Sequence, residues 1–535
     1  MNLQEKILEI KQTRASSQPL PTGAAPYTSA KHFKIQPSPN LPSARRWDSH
    51  FSDVAFEQSG SVLKTAAAAK GPDDMITLGT GRPAAEFYPW TMLAMRTGSE
   101  QHENFDTTST AGEAAFDLAV ALNYGYSAGS PHLLRFITEH VEFTHDPPYA
   151  DWDCAITAGT TSAIDLTLQI LCDPGNHVLI EEYTYPGTID ALKSQGLNKM
   201  AVKMDKEGLV PTELDAQLRH WDATKGKKPS VLYMIPTGHN PTGITQPLER
   251  RKAIYAVAEA HNLLIIEDDP YMFLQLRPEL NAAYTHRNLT PEDRYLAGLP
   301  TSCLSLDTSG RIIRLDSTSK ILAPGLRCGW ITASSQVIAK FLARMEVSVV
   351  SANGVSQVML YKLLDESWGH DGFVRWLISL SERYNQRLRI LAEACTKYLP
   401  TDHCDWNTPT EGMFLWVRVS LRAQCTHEGS SASATNGEDR IYSQSKANGV
   451  LVSKGSWFGA PAMPDGIYFR LTFAAAEDTA LELAVRRFAD AVCAVAPTDT
   501  CTSPFFGHEN SDTSASGVIK NGCSDKFNQN AGSKS

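Results

Sequence analysis

No run of about 18 apolar residues occurs in this chain, so no membrane-spanning helix is expected. It also lacks a basic excess: 49 Lys and Arg stand against 59 Asp and Glu, a formal charge of −10. That balance argues against a dedicated nucleic-acid binder. Ten cysteines are scattered singly with no Cys-x-x-Cys pair. Free thiols in a reducing compartment fit that spacing better than disulfides or zinc, and no metal site is expected. The first residues, Met1 to Lys11, mix Glu and Lys without an apolar core, which disfavours a secretory leader or a mitochondrial presequence. The cytoplasm is the default location. Gly79-Thr80-Gly81 begins like a nucleotide loop, but neither the Rossmann nor the Walker pattern is completed. No internal repeat is evident.

What is there is a soluble globular composition, 42% hydrophobic and 20% charged, over 535 residues, more than one ordinary core holds. Residues 1–72 are rich in Pro, Ser, Ala and Lys and read as an arm with one or two short helices that also supplies part of the smaller domain. Residues 73–370 alternate short apolar strands with helices, among them Asp153–Ala158, His177–Glu181, Met200–Met204, Val231–Ile235, the helix Leu248–His261 and Leu263–Glu267. Such alternation implies an α/β fold with a mostly parallel sheet covered on both faces, and ligands then sit beyond the carboxyl ends of the strands. Residues 371–495 read as a long connecting helix, Phe373–Tyr398, and a smaller α+β domain with strands Met413–Val419, Val450–Ser453 and Ile467–Phe473. Within it, 423–439 is rich in Ser, Ala, Thr and Gly and is expected to be a flexible insertion. Residues 496–535 carry little apolar content and are expected to be disordered.

Five stretches carry chemistry. Arg314-Leu-Asp-Ser317-Thr318-Ser319-Lys320, followed by Pro324-Gly-Leu-Arg327, puts a lysine in a small-residue turn after an apolar strand. Buried lysine shifts its pKa readily, so Lys320 suits an imine to an aldehyde cofactor and then a base, while Arg327 offers a donor fork for a phosphate. Thr157-Ala-Gly159-Thr160-Thr161 hands a strand to a helix, either as an anion cradle or as a plain N-cap. Pro236-Thr-Gly-His-Asn240-Pro-Thr-Gly243 fixes a loop that displays Asn240. Glu267-Asp268-Asp269-Pro-Tyr271 closes an apolar strand with a carboxylate that needs a cation or donor, such as a protonated pyridine nitrogen. Arg470, amid Tyr468-Phe469-Arg470-Leu471-Thr472-Phe473, calls for an anion, either a substrate carboxylate or a structural Asp or Glu.

In this order the motifs resemble fold-type I pyridoxal-phosphate aminotransferases, most closely the aromatic and 2-aminoadipate (kynurenine aminotransferase II-like) fungal subgroup. The subgroup-like features are Glu267–Gln275, Arg314–Lys320 and the long, mostly irregular stretch between Leu276 and Gly310. The resemblance implies an aspartate aminotransferase-like fold and pyridoxal 5′-phosphate as cofactor. It implies that Lys320 holds the cofactor covalently, that Asp268 keeps its ring nitrogen protonated, and that Asn240 and Tyr271 contact the ring oxygen. Tyr185 would stack on the ring, and Thr160, Thr161, Ser317, Ser319 and Arg327 would hold the phosphate. Arg470 and Asn240 would clamp a substrate carboxylate. Tyr124 matches a tyrosine that reaches the partner subunit's phosphate region, which implies a homodimer, and Gly81 matches a segment at the substrate entrance. The chain departs from the subgroup's pattern at Thr160-Thr161, Thr318 and His239, positions that bear on substrate choice.

The expected activity is amino transfer from an amino acid, an aromatic one in first place, to a 2-oxo acid by a ping-pong mechanism. The rival substrates are 2-aminoadipate and kynurenine, and the rival reaction on the same cofactor is a lyase. A non-enzymatic regulator is a remote alternative, since the N-terminal arm lacks the pattern of a winged-helix domain.

Overall fold

In this computed structural model the described residues are 2–23, 25–35, 40–62, 78–79, 81–99, 102–280, 288–420, 431–459 and 467–496. Seven strands form the main sheet: β1 (Trp152–Thr157), β2 (His177–Glu181), β3 (Asn198–Val202), β4 (Val231–Met234), β5 (Leu264–Asp268), β6 (Ile312–Ser317) and β7 (Gly329–Ser334). Their order is β1-β7-β6-β5-β4-β2-β3. β2 to β6 pair in parallel, and β7 runs antiparallel to both β6 and β1. The central strands are buried along their whole length, which is why they read as unbroken apolar runs rather than alternating ones. Helices Pro131–His145, Thr160–Leu171 and Ser335–Glu346 pack against β1 and its neighbours.

A second sheet joins β8 (Cys404–Asn407), β9 (Phe414–Val419), β10 (Ser453–Lys454) and β11 (Ile467–Thr472) in the antiparallel order β8-β9-β11-β10. The helix Gly369–Tyr398 precedes it in the chain, and its turns pack against the helix Asp478–Val495. The loop 236–243 presses onto this second sheet so closely that only glycine is admitted. A Cβ on Gly238, whose φ is +51°, would stand 2.7 Å from the Cα of Gly412. A Cβ on Gly243 would stand 2.6 Å from the carbonyl oxygen of Phe414. The two glycines of that motif therefore set how near the Asn240 loop lies to β9 and β11.

The N-terminal helix Leu3–Ser16 begins in a capping box between Asn2 and Glu5 and buries Leu3, Ile7 and Ile10. Arg14 ties it down, 2.5 Å from Glu139 and 2.7 Å from Asp365.

Several expectations need correction. Residues 431–439, assigned to the flexible insertion, begin the helix Ser431–Ala447, while 423–430 lie outside the described residues. The helix is held from its far end, where Glu438, Ile441 and Ser445 fall on one buried face at helical spacing. The described residues between Leu276 and Gly310 are mostly irregular, as expected, around the helix Pro291–Ala297, which the Thr290 hydroxyl caps. Strand pairing of Met92–Ser99 with His102–Thr110, strand β8 and the helix Pro211–Arg219 were not foreseen. The expected disordered tail lies outside the described residues, apart from Ala496.

Candidate active site

The chemistry-bearing motifs collect at the carboxyl ends of the parallel strands, where crossover connections leave a crevice. Gly159 and Thr160 follow β1, Tyr185 follows β2, Asn240 follows β4, Asp268 ends β5, and Lys320 follows β6.

Asp268 is buried and accepts a hydrogen bond on Oδ2 from the Tyr233 hydroxyl at 2.6 Å. Its Oδ1 is buried without a protein partner. Burial pushes its carboxyl up to about 7; the Tyr233 hydrogen bond and Lys320 oppose that rise, and Asp269 and Asp316 add to it. A carboxylate oxygen sealed from water and left open in one direction is an acceptor waiting for a donor.

Lys320 sits in the turn after β6, half-buried. Burial lowers its ammonium below the usual lysine value; Arg470 and Arg327 push the same way and Asp268 pulls back. The charges that act on it are therefore those of the other predicted site residues. Burial likewise raises the Tyr271 phenol, with Asp268 adding and Arg470 opposing, and its ring meets Phe414 edge-on at 5.4 Å.

Arg470, on β11, lies opposite Ser453 on β10 and Trp416 on β9. Its Nη1 donates to Asn240 Oδ1 at 2.7 Å and its Nη2 to Ser453 Oγ at 3.2 Å. The rings of Phe414 and Phe458 lie 4.5 and 4.8 Å from the guanidinium carbon. No Asp or Glu pairs with it among the described residues, which removes the structural ion pair that the sequence left open.

The helix Thr160–Leu171 has no side-chain cap at its N-terminus, so the plain N-cap reading of this motif does not hold. Gly159 has a φ of +86°, and a Cβ there would come within 2.5 Å of Arg327 Nη2. Uncapped amides and a guanidinium thus face one small space, as an anion requires. Arg327 itself is exposed, bonded through Nη1 to the carbonyl of Pro324 at 3.0 Å. Ser317 Oγ accepts from the Ser319 amide at 3.1 Å, which tightens the same turn. Thr161 is exposed and Thr160 half-buried. Tyr185 stands at the N-cap position of the next helix without a side-chain capping bond, and its ring lies close to Gly187, where an added Cβ would meet ring atoms at 2.5 Å. The orphaned Asp268 oxygen, the uncapped helix with Arg327 and the neighbouring lysine fit a phosphorylated pyridine aldehyde.

Tyr124 and Gly81 are not joined to this cluster by any hydrogen bond or ring contact found among the described residues. Tyr124 is 63% exposed and Gly81 has open space around it.

Three groups escaped sequence reasoning. Tyr233 supports Asp268, and Phe414 and Phe458 flank Arg470. Beneath the site lies fully buried Arg314, 3.1 Å from Glu267, 3.0 Å from Asp269 and 2.8 Å from Asp316. Burial pushes Asp316 up to about 6 even though Arg314 pulls it down. An arginine and three carboxylates on consecutive apolar strands were a visible signal, since such charges persist inside a protein only when paired.

Residues 95–488 match the family described as aminotransferase class I and II. The chain is 47% identical over 431 residues to the aminotransferase swnA of Arthroderma benhamiae, covering 80% of this chain and 87% of that protein. It is 36% identical over 463 residues to an aromatic amino acid aminotransferase of Schizosaccharomyces pombe, covering 82% and 96%. The crystal structure of aminotransferase Aro8 from Candida albicans superposes with a TM-score of 0.77 at 32% identity, over 85% of this chain and 99% of that one.

Proposed function

The chain belongs to the class I and II aminotransferases, and on that premise we propose that it moves the amino group of an aromatic amino acid to a 2-oxo acid. Its cofactor is pyridoxal 5′-phosphate. The observation that carries the substrate reading is the setting of Arg470. A guanidinium with no acidic partner among the described residues lies close to the rings of Phe414 and Phe458, with Tyr271 packed against Phe414. The first feature suits an α-carboxylate and the second an aromatic side chain beside it. The aromatic substrate of the Schizosaccharomyces pombe relative supports the same reading.

When bound, the cofactor supplies an aldehyde that captures amino groups and a ring that takes up the electron pair left by the departing proton. In our reading Lys320 provides the amine that holds it. Lys320, with its lowered pKa, then takes the proton from the donor's α-carbon and returns it at the next step. Asp268 Oδ1, buried without a protein partner, would accept a hydrogen bond from the ring N–H. Arg470 and Asn240 grip the α-carboxylate, which fixes the C–H bond being broken. Asn240 and Tyr271 would hold the cofactor's ring oxygen, and Tyr185 would pack against its ring. Thr160, Thr161, Ser317, Ser319 and Arg327 would hold the phosphate.

The reading extends to residues 73–370 as the cofactor-binding domain and 371–495 as the smaller one. It also extends to a homodimer in which exposed Tyr124 reaches the partner's site and Gly81 borders the entrance. A reducing, cytoplasmic setting is supported by the free cysteines 154, 172, 303, 328, 395 and 404, all buried. Among the described residues no helix is long and apolar enough to cross a membrane.

A donor panel with 2-oxoglutarate as acceptor tests the proposal. We expect kcat/KM for Tyr, Phe or Trp to exceed that for 2-aminoadipate and kynurenine. A reversed order overturns the substrate reading, and release of pyruvate or ammonia without amine transfer overturns the reaction.

A further inference from the structure

We propose that Tyr233 is a positioning residue for this reaction: its hydroxyl holds one oxygen of Asp268 so that the other is aimed at the cofactor's ring nitrogen. The proposal rests on the reading of Asp268 given above. Tyr233 lies on β4, beside β5, and is fully buried. Its neighbours along the strand, Val231, Leu232, Met234 and Ile235, are all apolar. A phenol on such a strand costs more than a phenylalanine unless its hydroxyl finds an acceptor. Here the acceptor is Asp268 Oδ2 at 2.6 Å.

A carboxylate can turn about its Cβ–Cγ bond and present either oxygen. With Oδ2 held by Tyr233, only Oδ1 remains, and it is buried with no protein partner. The groups that act most on Asp268 are Tyr233, Asp269, Asp316 and Lys320. The two aspartates disfavour its ionised form, and Lys320 is engaged once it holds the cofactor. Tyr233 is then the remaining donor among these groups that favours a charged Asp268, the form a protonated ring nitrogen requires.

The test measures the affinity of full-length protein, stripped of cofactor, for two ligands. One is pyridoxal 5′-phosphate, and the other is its isostere with a C–H in place of the ring nitrogen. Wild type should prefer the natural cofactor. Tyr233→Phe should lower affinity for pyridoxal phosphate on the order of tenfold to a hundredfold, the range of a hydrogen bond to a charged group. Affinity for the isostere should stay within about twofold, because nothing there answers Asp268. Equal losses for both ligands would mean general damage to the pocket and overturn the proposal.

Asp268→Asn separates this idea from the one beneath it. If the amide erases the preference and Tyr233→Phe does not, Tyr233 has no positioning role and the Asp268 reading stands. If the amide leaves the preference intact, the Asp268 reading fails and takes this proposal with it. The double variant Y233F/D268N covers the case in which an unpaired buried carboxylate prevents Y233F from folding. Its affinities should equal those of D268N alone, and a further loss for both ligands overturns the proposal.

Discussion

Replacing Arg470 by lysine keeps the charge and removes the fork. In the structure two of the guanidinium's nitrogens are spoken for, Nη1 by Asn240 at 2.7 Å and Nη2 by Ser453 at 3.2 Å. The rings of Phe414 and Phe458 lie 4.5 and 4.8 Å from its central carbon. Lysine offers one compact ammonium that cannot make two parallel bonds to a carboxylate or fill the space between two rings. Loss of one charge-assisted hydrogen bond costs about 1.5–3 kcal/mol. Weaker stacking on the rings adds about 0.5–1 kcal/mol. The sum, about 2–4 kcal/mol, corresponds to a loss in kcat/KM of roughly 30- to 1,000-fold. The assay compares the first half-reaction on phenylalanine with that on phenethylamine, which keeps the ring and lacks the carboxylate. R470K should lose this factor on the amino acid and almost nothing on the amine. A loss below about threefold on phenylalanine, or equal losses on both, would refute the role of Arg470 as the carboxylate clamp.

Gly159→Ala should weaken cofactor binding by about tenfold or more, since its Cβ would meet Arg327 Nη2 at 2.5 Å in a backbone with φ of +86°; equilibrium dialysis measures the affinity. Asp268→Asn should stabilise the cofactor-free protein at pH 8 and change it little near pH 4. Burial raises the folded-state carboxyl from 3.8 to about 7, so the folded protein holds a proton that the unfolded chain releases, and stability falls as pH rises through that window. Thermal unfolding of both proteins across pH 4–8 reads the difference, and parallel curves would contradict the raised value. Arg314→Met should destabilise by about 3–5 kcal/mol in urea unfolding, because three buried carboxylates lose their common cation; unchanged stability would mean that those carboxylates are held neutral.

Local pattern made much of the fold legible. The helix Leu248–His261 has the expected bounds, and in the structure Asn262 ends it in the left-handed region. Strands such as β5 stood out as short aliphatic runs between helices. The motif residues were legible for a related reason: in a parallel sheet the loops after the strands share one crevice, so Thr160, Tyr185, Asn240, Asp268 and Lys320 meet although they lie far apart in the chain. What stayed hidden was long-range. Nothing near Phe414 or Phe458 in the sequence announces Arg470, which reaches them only through the pairing of β9 with β11 and the turn after β10. The helix over 431–439 was hidden by its Ser- and Ala-rich composition, its anchors being Ile441 and Ser445 just beyond. Tyr233 did leave a trace, as the one hydroxyl on an otherwise apolar strand.

The most direct check on the account is reduction of the cofactor-loaded protein with borohydride, followed by peptide mass spectrometry. A single phosphopyridoxyl group on the peptide that contains Lys320 is the predicted result, with no such label in Lys320→Ala. Label on a different lysine, or none after incubation with pyridoxal 5′-phosphate, would contradict it.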